Sequence, residues 1–286
     1  MQNGLALNIM KSRNSNMEYV KDVKLKWDNR PIIFYDQSEF GQSGIPSNIT
    51  CGPTVVASMV RGYTGKDQSD IVKNWMKDNM HTLTEEGSDA YSLAGLVYEI
   101  NKQNGISRRI DVYADYNALA EANERENIPR DKDNKIKTTS HTAYKAGKGI
   151  EMHHGEFLKV SDIYNKVSEG AYVIFEYKNH WLLAYGTVDV YINNSFKEKL
   201  LLIFDPESTK SRFESAGKDD YLLYEYIKEL NDSINQKVID PESITKENIN
   251  SLSPNDVKWK EPQFSAIVVS SENVKRGLKD YLAQGK

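Results

Sequence analysis

The chain holds a single cysteine, Cys51, set in Thr50-Cys-Gly-Pro-Thr-Val-Val-Ala-Ser-Met-Val60. Gly52-Pro53 breaks whatever precedes it, and proline suits the first turn of a helix, where its missing N–H is not needed. Val55, Val56, Met59 and Val60 then share one helical face. The spacing places Cys51 at the N-terminal mouth of a buried helix, where free N–H groups and the helix dipole favour a thiolate. A nucleophile of that kind works with a base, and His180 stands about 130 residues downstream. Asp205, just before Pro206, can hold one imidazole nitrogen and fix the tautomer, leaving the other to take the thiol proton. Each residue has a plainer reading: a buried small hydrophobe for Cys51, a structural role for His180, a turn start for Asp205-Pro206. The three in this order point to nucleophilic acyl transfer.

The base and the carboxylate need strands to carry them. Tyr172–Tyr177, His180–Tyr185 and Leu200–Phe204 are β-branched, aromatic or aliphatic runs spaced as an antiparallel meander, with a tight turn at Lys178-Asn179. His180 therefore opens one strand and Asp205 ends the next, at one rim of a sheet. Before the Cys51 helix, Pro31–Tyr35 reads as a strand, followed by a loop from Gly41 to Asn48. The Cys51 helix is expected to end near Gly62–Gly65. Further helices are expected over Gln68–Met80, from Ser88-Asp89 through Ile100, around Leu119–Asn123, over Val160–Glu169, over Tyr221–Leu230 and over Glu272–Leu282. Ile110–Tyr113 and Phe264–Val269 read as strands. Helices first and antiparallel strands second is an α+β order.

Residues 1–29 are polar and weakly patterned, an N-terminal arm that is mobile or packed on the body. Residues 30–286 form the body, with the motifs in 30–210 and a C-terminal extension over 211–286. Residues 124–156 carry few large apolar groups and read as a long functional loop or insertion.

Composition narrows the function classes. With 286 residues, 39% hydrophobic and 27% charged, and a mean hydropathy of -0.63, the chain reads as a globular protein on the polar side. Its net charge of -4 comes without a basic stripe, so nucleic acid is not an expected partner. One cysteine excludes an intrachain disulfide framework and a Cys-rich metal site. No run reaches the roughly 18 apolar residues that a membrane span needs, and Met1–Met17 lacks the order of a secretory signal. The expectation is a soluble protein of bacterial character whose compartment is open, with secretion or delivery favoured over a cytoplasmic place.

Taken together, Tyr35-Asp-Gln37, Cys51-Gly-Pro-Thr54, Asn179-His-Trp181 with Gly186, and Phe204-Asp-Pro206 resemble the papain-like cysteine peptidases. The likeness covers residues 30–210 and is nearest to the bacteriocin-processing (double-glycine) branch. It implies a papain-like α+β fold, with N-terminal helices packed on a C-terminal antiparallel sheet. It implies Cys51 as nucleophile, His180 as general base and acid, Asp205 as orienting group, and a peptide or protein substrate without metal or organic cofactor. It also implies an upstream glutamine whose side-chain amide joins the Cys51 N–H in an oxyanion hole. Gln37, after the strand-like run, is preferred, and Gln42, nearer to Cys51, is the alternative. No transporter part is visible, so a role in bacteriocin export does not carry over. The same acyl-enzyme could pass its acyl group to an amine or thiol, as a transferase does. A papain-like fold kept as a binding or effector module is the non-enzymatic alternative.

Four histidines remain: His81, His141, His153 and His154. Adjacent residues on an extended segment point opposite ways, and no ligand cluster flanks His153-His154 in sequence. They read as loop histidines rather than zinc ligands. Gly147-Lys-Gly149 lacks the spacing of a phosphate loop.

Overall fold

The run that begins at His180 is the axis of the fold. The computed structural model describes residues 22–78, 83–84, 87–114, 149–239 and 258–270. Seven strands form its main sheet: β1 (Val23–Asn29), β2 (Ile110–Ala114), β3 (Ile150–His154), β4 (Tyr172–Tyr177), β5 (His180–Ile192), β6 (Ser195–Phe204) and β7 (Ala266–Val269). The order runs β1-β5-β4-β7-β2-β3, with β6 also paired to β5. β5 pairs with β4 through its first half, with β1 through its second half, and with β6 from Leu183 onward. Every pairing is antiparallel except β2 with β3, which is parallel. The sheet is therefore mixed rather than antiparallel, and the chain between β2 and β3 is long enough for the crossover that parallel neighbours need.

Local chemistry explains the two hairpins. Lys178 and Asn179 lie at φ 52° and 60°, and Asn193 and Asn194 at 51° and 62°. Paired left-handed residues make a turn whose twist matches that of the flanking strands. The second turn lets β5 run on well past Tyr185, where the sequence had suggested an end. Gly186 does not break the strand. A Cβ there would stand 2.5 Å from Asn29 Cα, so glycine lets β1 lie close against β5.

Six helices flank the sheet among the described residues: α1 (Cys51–Thr64), α2 (Ser69–Asp78), α3 (Ala90–Gln103), α4 (Val160–Ser168), α5 (Thr209–Ala216) and α6 (Asp220–Ile234). Val55, Val56, Met59 and Val60 of α1 are wholly buried, with Leu93, Leu96 and Val97 of α3, against Tyr172, Ile174, Leu183 and Tyr185. The alternate residues Val173, Phe175, Leu182 and Ala184 face Ile163 and Val167 of α4 and Phe264 on the other side. Because both faces are covered, β4 and the start of β5 read as unbroken apolar runs rather than alternating ones. Each such side chain removed from water contributes roughly 1.5–3 kcal/mol before entropy is counted.

The β1 and β6 edges are closed by α6. Asn231 accepts from Leu201 N–H and donates to Leu201 C=O, both at 2.9 Å, while Asp220 Oδ2 accepts from Leu25 N–H at 3.2 Å. A helix that satisfies strand backbone in this way protects an edge from further pairing. Tertiary structure thus ignores two expected boundaries. β1 lies inside the 1–29 arm, and α6 and β7 lie inside the 211–286 extension, yet all three belong to the one packed body.

Two local expectations also change. Pro31–Tyr35 forms no strand; Ile33 N–H bonds Ser58 O at 3.3 Å and Tyr35 N–H bonds Ser58 Oγ at 3.1 Å, so its partner is helix α1. Residues 150–154, read as loop, form β3. Of the other expectations, Leu119–Asn123, Glu272–Leu282, Met80 and the first 21 residues lie outside the described residues. No described helix is long and apolar enough to cross a membrane.

Candidate active site

Cys51 opens α1 as expected and is 2% exposed. Thr50, the residue before it, makes no side-chain cap to the helix. Its hydroxyl instead reaches backward, to Ser47 O at 2.7 Å and Gln37 O at 3.0 Å. The first N–H groups of α1 have no intrahelical acceptor by geometry, and Pro53 contributes none. Gly52 sets how closely this end packs. A Cβ there would stand 2.6 Å from Leu93 Cδ1 and 3.1 Å from Trp181 Cδ1. Trp181 is itself fixed by its Nε1–H, which donates to Ser88 O at 2.7 Å.

His180 follows the left-handed Lys178-Asn179 turn directly, so the hairpin holds it at the rim of the sheet. Its Nε2 lies 2.9 Å from Asp205 Oδ1, and the Cys51 side chain is near enough to act on the imidazole's charge. With Nε2 on the carboxylate, Nδ1 is the nitrogen left for the sulfur. Burial pushes the imidazole pKa down. The hydrogen bond to Asp205 and the nearby Cys51 side chain, with the negative charge at each, outweigh burial and raise it to about 10.

Asp205 stands where β6 ends. Its Oδ1 also accepts from Glu207 N–H at 2.9 Å, and its Oδ2 accepts from Ser208 Oγ at 2.9 Å. Burial pushes this carboxyl upward, but the bond from His180, the Glu207 N–H, the charge on His180 and the Ser208 hydroxyl bring it below its ordinary value. Both partners are thus held in their charged forms, as a carboxylate–imidazolium pair with donors on both carboxylate oxygens.

The two glutamines separate clearly. Gln37 N–H donates to Pro206 O at 2.9 Å, and Gln37 O accepts from Thr50 Oγ1. Gln37 is therefore tied to the residue after Asp205 and to the residue before Cys51. Its side-chain Oε1 is buried without a hydrogen-bond partner among the described residues. Gln42 is committed elsewhere: its Nε2 donates to Lys73 O at 3.0 Å, and its backbone makes a two-way bridge with Ile45.

Reading the sequence missed Ser208 and Thr209, which follow Asp205-Pro206 as ordinary turn residues with no motif to mark them. It also missed a cluster far from the cysteine. His153 and His154 do point opposite ways: His154 Nδ1 meets Tyr91 Oη at 2.9 Å, while His153 stacks on Tyr113. His153 Nε2 lies 3.2 Å from Asp111 Oδ1, and Glu151 completes a group whose donor atoms fall within 4.8 Å of one another. Asp111 is remote in sequence and is brought in by the β2–β3 pairing. Arg109 already bridges the two carboxylates, at 2.7 Å from each, so a protein cation stands where a metal would. His81 and His141 lie outside the described residues.

No protein-family model matches this chain, and no curated protein matches it.

Proposed function

We propose that the protein is a papain-like thiol hydrolase that cleaves a peptide or related amide through an acyl-enzyme on Cys51. The observation that carries this reading is one arrangement: a cysteine at a helix N-terminus, beside a histidine that is bonded to a half-buried carboxylate. The mixed α+β architecture is compatible with that reading, which rests on the site rather than on the fold.

In the first step the Cys51 sulfur, its proton already on His180 Nδ1, attacks the carbonyl carbon as the thiolate. The tetrahedral oxyanion is held by the Cys51 N–H and the Gln37 side-chain amide, whose oxygen and nitrogen exchange places by a half-turn. The C–N bond then breaks, and His180 Nδ1–H passes its proton to the leaving amine. In the second step His180 takes a proton from water as the water oxygen bonds to the acyl carbon. The C–S bond breaks, the acid leaves, and the thiolate and imidazolium are restored. Asp205 holds the imidazole in the tautomer that presents Nδ1 to the sulfur, and it stabilises the imidazolium at rest and as it re-forms in the second step.

Intact-mass measurement with a peptidyl thioester tests this directly. The expected result is an acyl adduct on Cys51 that turns over to free acid in the wild-type protein and does not form in Cys51→Ala. Transfer of the acyl group to an added amine, without free acid, would make the protein a transferase. No adduct from any acyl donor would overturn the reading.

A further inference from the structure

Asp205 sits in a closed ring of hydrogen bonds whose directions are forced. Its backbone N–H donates to Thr209 Oγ1 at 2.8 Å, and its Oδ2 lies 2.9 Å from Ser208 Oγ. The Tyr226 hydroxyl, on α6, meets both side chains, at 2.7 Å from Thr209 Oγ1 and 3.2 Å from Ser208 Oγ. An ionised carboxylate only accepts, so the one Ser208 proton goes to Asp205. Ser208 must then accept from Tyr226, which uses the one phenolic proton. The Tyr226 oxygen in turn accepts from Thr209, while Thr209 takes the Asp205 N–H. Each hydroxyl gives one bond and takes one, in a single sense from the Asp205 backbone to the Asp205 side chain.

Such one-way rings strengthen each member by polarising the next. This one is sheltered: Thr209 is fully buried, Tyr226 is 7% exposed, and Phe213 packs edge-on against the Tyr226 ring at 6.2 Å. Burial also pushes the Tyr226 phenol above its ordinary pKa, which keeps the proton that the ring needs. The ionisable groups around the ring include His180, with Cys51 beside it, on one side of Asp205, and, about Tyr226, Arg212 over its ring at 5.7 Å and the buried Tyr185.

We infer that Tyr226 is a positioning residue: through Ser208 it holds Asp205 Oδ2, and through Thr209 the Asp205 backbone N–H, so that Oδ1 faces His180 in a fixed orientation. The consequence for catalysis rests on the thiol-hydrolase reading. Through this ring, α6, which lies in a part of the chain without a recognisable motif, acts on the site from behind.

The test is the titration of the His180 ring by nitrogen-15 NMR in the full chain, with the signal assigned by its loss in His180→Gln. Breaking the ring lets the Asp205 carboxylate turn away from the imidazolium it holds, so Tyr226→Phe and Ser208→Ala should each lower the His180 midpoint by about one pH unit. The double variant should fall little further than either single one, because both break the same ring. Ser208→Thr, which restores a hydroxyl, should titrate like the wild type, and thermal melts of Ser208→Ala guard against an effect of misfolding. If Asp205→Asn lowers the midpoint but Tyr226→Phe and Ser208→Ala do not, the inference is wrong and the hydrolase reading stands. If the wild-type midpoint is ordinary and indifferent to both Asp205→Asn and Cys51→Ala, the hydrolase reading itself fails.

Discussion

Gln37 and Pro206 are joined by a backbone hydrogen bond of 2.9 Å, which ties the loop before the nucleophile helix to the turn that carries the site's carboxylate. Residues from opposite ends of the body are thereby held in one frame. If Gln37 supplies an oxyanion donor from this position, Gln37→Ala should lower kcat by roughly 100- to 1000-fold. Gln42→Ala should leave kcat within a few-fold, since its amide is bonded to Lys73 O. Steady-state turnover of an activated peptide ester compares the two. Equal losses would remove Gln37 from the proposed chemistry.

Gly52 is where the helix mouth meets the core. Gly52→Ala drives a methyl group into Leu93 and Trp181, and overpacking of this kind costs about 1–3 kcal/mol. The loss in thermal stability should be clearly smaller when the same change is made in a Leu93→Ala background. An equal loss in both backgrounds would show that Leu93 is not what excludes the side chain.

Asn231 closes the β6 edge with three bonds: two to Leu201 and one to Ile227 O. Asn231→Leu keeps the volume but strands the buried backbone groups, and the expected cost is about 3 kcal/mol. Urea unfolding checks this, with a lower midpoint and an unchanged slope. A midpoint unchanged from that of the wild type would mean that α6 is not the clasp described here.

Stability should follow pH through the His180–Asp205 pair. Asp205 has a folded pKa below its unfolded value, so its contribution is present above about pH 3.9 and is lost as pH falls through the folded pKa. His180 is raised to about 10, so its contribution is full below its unfolded pKa and fades as pH rises toward the folded value. The pair stabilises most between roughly pH 4 and 6.5 and progressively less above that range. Unfolding free energies at several pH values, for wild type and His180→Gln, should diverge on the acid side of that decline and converge toward pH 10. Parallel curves would contradict the coupling.

Much of this was legible in the sequence because it is local. Gly-Pro after a cysteine, with apolar residues at helical spacing, marks α1, and Asp89 marks the start of α3 by capping. The β4–β5 turn and the end of β6 likewise set His180 and Asp205 at strand ends. What was not legible depends on partners remote in the chain. Pro31–Tyr35 has strand composition, yet Ser58 rather than a neighbouring strand takes its N–H groups. Ile150–His154 looks like loop until β2 lies beside it. Tyr226 resembles any other apolar-face residue of an amphipathic helix, and only packing brings its hydroxyl to Ser208 and Thr209.

The central claim is that Cys51 and His180 act as one unit, and the single cysteine makes this measurable without a substrate. The measurement is the rate of iodoacetamide labelling of Cys51 at mildly acidic pH, in wild type and in His180→Ala. Labelling at least about tenfold faster in the wild-type protein is the predicted result, since a neighbouring imidazolium favours the thiolate that reacts. Equal rates would mean that histidine and sulfur are not coupled, and the thiol-hydrolase account would fall.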